Sequence, residues 1–148
     1  MTNRFIEHQM QPCPTSCVSA SLAMVTGLPV QIVVDRFHEA YHKFELSLRD
    51  MLEALNVPFK SFDTCDNNSL DEVGAYICHV PSLNMTGSHH QLVIEVTEDN
   101  YFILDPNVGR DGRKFYVKRG EVAELGVELG GYVIDAFVPG HWLEGRKL

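Results

Sequence analysis

Cys17, His90, Asp105 and Gln11 are the residues whose types and order could do chemistry. Cys17 opens an uncharged run, Cys17 to Thr26, that follows Pro14-Thr15-Ser16 and ends at Gly27. The preceding hydroxyls offer an N-cap and Gly27 a C-cap, so the spacing predicts a helix beginning at the cysteine. A helix start presents unpaired N–H groups and the positive end of the dipole, and both favour a thiolate there. Such a thiolate is a nucleophile. The plainer alternative is a small buried hydrophobe, since free cysteine packs well in cores. Gln11 stands six residues earlier, on the loop into that helix. Its amide and the Cys17 N–H would make a two-donor oxyanion hole. Gln9 is the rival at a less suitable distance, and a surface glutamine is the plainer reading of either.

A base for Cys17 must come from elsewhere in the chain and be held rigidly. His90 opens the strand-like run Gln91 to Val96, and Asp105 follows Tyr101-Phe102-Ile103-Leu104 just before Pro106. The two runs read as a hairpin around Glu98-Asp99-Asn100. With a two- or four-residue loop, residue 92 pairs with 105 and residue 90 with 107. His90 and Asp105 then share a face as diagonal neighbours, about 7–8 Å apart at the backbone. Asp105 could orient the imidazole and stabilise its charged form. An odd loop would turn His89 to that face instead. Asn107 is the alternative orienter, and a plain Asp-Pro turn is the bland reading of Asp105.

These pieces need a scaffold. The chain has 148 residues, enough for one domain with its own core. Hydrophobic residues make up 45% and charged residues 22%, which argues against disorder, collagen or coiled coil. The helix at Cys17 has no charged face, so it should be buried. A second helix is expected from Pro29, with Val30, Val33, Val34, Phe37 and Tyr41 on one stripe. Ser47 and Asp50 look like an N-cap and its N3 partner for a third. A short strand is expected over 57–62, and Ser69 with Glu72 suggests a capping box for another short helix. Strands are then expected over 76–83, 91–96, 101–104, 114–118 and 132–138, with 121–129 ambiguous. The fold class is α+β: a helical N-terminal half against an antiparallel sheet.

Composition also bounds partners. The net charge of -8 would repel a phosphate backbone, so nucleic acid is an unsuitable main partner. It weakly favours a basic peptide. No apolar run approaches a membrane span and no signal-peptide pattern opens the chain. Cys13, Cys17, Cys65 and Cys78 therefore suggest free thiols in a reducing cytosol rather than a disulfide framework. Cys13 is the alternative nucleophile. Structural zinc would need a tighter ligand pattern, and His38 with His42 has no evident third ligand.

The stretch Gln11 to Gly27, with His90-Gln91-Leu92-Val93-Ile94 and Leu104-Asp105-Pro106, resembles the C39-like branch of papain-like cysteine peptidases. These are the bacteriocin-leader-processing peptidases and their soluble relatives in bacteria and phages. The resemblance covers roughly residues 9 to 117. It implies a papain-like fold, with Cys17 as nucleophile, His90 as base, Asp105 as orienter and Gln11 in the oxyanion hole. It implies a peptide or protein substrate and no metal or organic cofactor. The same residues would serve a deamidase, amidase or acyl transferase, and an inactive binding module could keep the fold. Oligomeric state is not legible.

Overall fold

Charge-free residues from Cys17 onward form α1 (Cys17–Thr26), and Val18 to Val25 are buried. Gly27 ends it in the left-handed conformation (φ 81°), which glycine adopts without a Cβ penalty, and its N–H returns to the Ala23 carbonyl. The expected hydroxyl cap is not formed. Ser16 instead donates to the Cys13 carbonyl (3.0 Å) and accepts from the Cys13 N–H (3.1 Å). Its hydroxyl closes the turn before the helix and leaves the first-turn N–H groups uncapped by a side chain. The computed structural model describes residues 4–61 and 69–146, so Cys65 and Phe62 lie outside the described residues.

Pro29 precedes a helical segment in three pieces: α2 (Val30–Val33), a π-helical turn (Val34–His38) and α3 (Glu39–His42). Val33 and Phe37 point into the core and Tyr41 packs at its edge, as the apolar stripe requires. The capping box is present: Ser47 accepts from the Asp50 N–H (3.1 Å) and Asp50 accepts from the Ser47 N–H (2.9 Å), starting α4 (Leu48–Ala54).

A five-stranded antiparallel sheet follows, in the order β1 (Lys60–Ser61), β7 (Val133–Pro139), β2 (Gly74–Pro81), β3 (His89–Val96), β4 (Tyr101–Leu104). Alternation sorts its side chains. Ala75, Ile77, Val93, Leu104, Ala136 and Val138 meet α1 on one face. Tyr76, Cys78, Val80, Leu92, Ile94 and Ile134 form a second cluster on the other face, with Tyr116. The short helix expected at Ser69–Glu72 is absent. Glu72 pairs with Lys60 (2.9 Å) and its N–H donates to the Tyr76 hydroxyl, so this stretch feeds directly into β2. The ambiguous 121–129 region contains β6 (Gly126–Glu128), which runs parallel to β5 (Phe115–Val117) in a separate two-stranded sheet. A final helix, α5 (Gly140–Gly145), packs Leu143 into the core and Trp142 against it. The architecture is therefore α+β, with helices on an antiparallel sheet.

Phe44, just after α3, is 96% exposed and sits at φ 62°. A left-handed phenylalanine is strained, and its exposed ring recovers little by packing. Phe44→Gly is expected to raise stability by about 0.5–1 kcal/mol, partly offset by glycine's own entropy. Thermal denaturation checks this, and a lowered Tm would contradict it.

Candidate active site

The β3–β4 hairpin sets the site. Val93 pairs with Leu104 and Val96 with Tyr101, around a four-residue loop closed by Thr97 and Asn100. This even loop places residues 90 and 105 on one face. The His90 Nε2 and the Asp105 Oδ1 lie 2.7 Å apart, and the two side chains are almost wholly buried. Asp105 also accepts from the backbone N–H groups of Asn107 (2.9 Å) and Tyr116 (2.8 Å). Three donors thus hold a carboxylate that has no access to water.

Cys17 lies at the start of α1, half-buried in the wall of a cleft that His90 also lines. Burial works against a charge on His90. The hydrogen bond to Asp105, the nearness of the Cys17 side chain and the negative charge on each outweigh it and raise the imidazole from 6.5 to about 9. With Nε2 on Asp105, Nδ1 is the nitrogen left for the sulfur.

The alternatives are separated by their contacts. His89 turns away and meets the His79 ring edge-on at 5.3 Å. The Asn107 side chain accepts from Arg110 (3.0 Å) rather than holding His90. Gln9 clamps the far end of α1, donating to the Leu28 carbonyl and accepting from the Val30 N–H, both at 2.7 Å. Gln11 is buried, and its backbone N–H reaches the Pro106 carbonyl (2.9 Å) beside Asp105. One amide N–H donates to the Cys13 carbonyl (2.8 Å), and its side-chain oxygen is buried without a partner. The Gln11 amide thus braces the turn before α1 and is not part of the cleft wall among the described residues.

Cys13 remains the chemical rival. Burial opposes ionisation there, but hydrogen bonds from Ser16 and Thr15 and the charge of Arg110 bring its thiol below the usual value. No imidazole figures among those partners. Cys78 is buried, and burial followed by the charge of Asp135 pushes its thiol well up. His38 and His42 stack with ring centroids 5.3 Å apart, and no group of three metal-ligating side chains occurs among the described residues.

The cleft has a volume of about 1400 Å³. That exceeds the roughly 300–1,000 Å³ usual for small-molecule pockets and leaves room for a length of chain. Its wall includes a group not singled out from the sequence: His79, Gln91 and Asp135. The signal was present. Asp135 is the one charged residue inside the apolar run Val133 to Val138.

No family model matches the chain, and no match was found among curated proteins or solved structures. No helix among the described residues is long and apolar enough to cross a membrane.

The His90 environment has a pH signature. Its value is raised on folding, from 6.5 to about 9. The resulting stabilisation is complete below about pH 6.5 and is lost as pH rises through about 9. The Tm gap between the wild type and His90→Gln should be widest below pH 6.5 and close toward pH 9. A gap that widens over that interval would contradict the assignment.

Proposed function

We propose that this protein is a cysteine-dependent hydrolase, a peptidase or isopeptidase of the papain-like, C39-like kind. The observation that carries the reading is the buried 2.7 Å contact between His90 and Asp105, in a cleft whose wall also holds Cys17. A nucleophile on a buried helix and a base on the adjoining antiparallel sheet also support a papain-like arrangement. A cysteine that merely packed the core would not need a fixed imidazole backed by a triply bonded carboxylate.

Cys17 and His90 form a thiolate–imidazolium pair. The sulfur attacks an amide carbonyl, and the carbonyl electrons move to oxygen. First-turn N–H groups of α1, uncapped by a side chain, receive the oxyanion. His90 gives its proton to the leaving amine as the C–N bond breaks, leaving a thioester on Cys17. His90 then takes a proton from water, whose oxygen attacks the thioester and releases the acid and the thiolate. Asp105 keeps one tautomer and offsets the imidazolium charge throughout. The same steps with a side-chain amide as substrate would release ammonia instead of cutting a chain.

An activated ester tests the thioester directly. With p-nitrophenyl acetate, the wild type should release one equivalent of p-nitrophenol in a burst and carry one acetyl group on Cys17 by peptide mass spectrometry. Cys17→Ala should show neither. Acetyl on Cys13 with Cys17 unmodified would overturn the assignment.

A further inference from the structure

The cleft holds a second imidazole–carboxylate pair that the mechanism does not use. His79 Nδ1 lies 2.8 Å from Asp135 Oδ1 and 3.0 Å from Oδ2, and the Gln91 amide donates to Oδ2 at 2.9 Å. The three residues come from β2, β7 and β3, which are adjacent in the sheet. A bulge builds the group. Ile77 pairs with Ala136 but Cys78 pairs with Ile134, so Asp135 is the extra residue of β7. Bulges re-aim side chains, and here the carboxylate is aimed at His79. On the same face, Ile77, Val93 and Ala136 belong to the core that α1 covers. His79, Gln91 and Asp135 continue that face into the cleft wall.

This pair differs from His90–Asp105 in solvent access. Asp105 is fully buried, whereas the Asp135 side chain is 28% exposed and His79 is 32% exposed. Among the described residues, no lysine or arginine pairs with Asp135. Three arginines line the cleft: Arg49 donates to the Ser61 hydroxyl, Arg110 donates to Asn107, and Arg113 forms no ion pair with Asp135. A carboxylate held by an imidazole and an amide keeps a net negative charge whenever the imidazole is neutral. In a cleft of reduced dielectric that charge attracts a cation more strongly than a surface carboxylate does. Tyr41 ties the two regions together. Burial first, then the charges of Cys17 and Asp135, push its phenol up, so both groups act on one hydroxyl in the cleft wall.

We infer that Asp135, held in place by His79 and Gln91, is a specificity subsite for a basic side chain, lysine or arginine, of a peptide bound across Cys17. The inference rests on the reading of Cys17 as the nucleophile and names the substrate class for it. Asp135 binds the ammonium or guanidinium group, and His79 and Gln91 orient the carboxylate.

The test uses short peptidyl acyloxymethyl ketones, which alkylate an active-site thiolate. They carry lysine, norleucine or glutamate at either of the two positions before the ketone. The lysine probe should label Cys17 roughly tenfold faster than the norleucine probe, with glutamate slowest. Asp135→Asn should remove the lysine advantage and leave the norleucine rate unchanged. That unchanged rate also shows that the variant folds. If Asp135→Asn lowers every rate, Asp135→Glu decides, because it must retain the lysine preference. Equal rates for lysine and norleucine in the wild type overturn the subsite while leaving the nucleophile standing. A preference that survives Asp135→Asn also overturns it. Failure of every probe to label Cys17 overturns the nucleophile and the subsite together.

Discussion

The hydrogen bond between His90 and Asp105 is the contact on which the site depends. A carboxylate without solvent access is stable only when its oxygens are paired, because an uncompensated buried charge is worth several kcal/mol against folding. Asp105 meets that condition with one imidazole and two backbone N–H groups. Those donors come from the start of β3, the turn after β4 and the middle of β5. One carboxylate therefore ties three segments together and fixes the ring that faces Cys17. The pairing that makes this possible is the even-length turn between β3 and β4. A one-residue change in that loop would exchange His90 for His89 and break the connection.

The other half of the site is the helix start, and it is held from both ends. Near its beginning, the Gln11 backbone is bonded to Pro106 and its amide to Cys13. Near its end, Gln9 bridges Leu28 and Val30, and Arg146 donates to the Met24 and Val25 carbonyls and to Phe5. A cation at the last carbonyls of a helix also complements its dipole. Upstream, the buried Glu95 accepts from the Phe5 N–H (2.7 Å) and from Arg4 (3.1 Å). These polar anchors set where α1 begins relative to β3, and so where the Cys17 sulfur sits in the cleft that His90 also lines. The apolar contacts of Leu22 and Val25 with the sheet supply the burial, but they specify position less sharply than directional hydrogen bonds do.

Much of this was legible in the residues. The absence of charge from Cys17 to Thr26 announced a buried helix, and Gly27 announced its end. The Ser47–Asp50 box and the hairpin register followed from local rules that tertiary contacts did not override. The failures have physical causes. Ser16 was free to cap α1 or to close its own turn, and the turn won. Ser69 and Glu72 carry capping-box residue types, but the strand entering at Gly74 leaves no room for a helix. The parallel pairing of β5 with β6 joins two three-residue strands, which are too short to carry a sequence period. The Gln11 amide contact with Cys13 depends on a turn conformation that composition does not encode. Asp135 was visible as a charge within an apolar strand, but its partner His79 was hidden because the β7 bulge shifts the register by one residue.

In the proposed function, one imidazole activates the Cys17 sulfur. The most direct measurement is the rate of Cys17 alkylation by iodoacetamide at about pH 6, read by peptide mass spectrometry in the wild type and in His90→Ala. An ordinary thiol, with a pKa near 8.5, reacts slowly at that pH. Fast alkylation is expected at Cys17, with a marked slowing when His90 is removed. An inert Cys17, or a rate indifferent to His90, would contradict it.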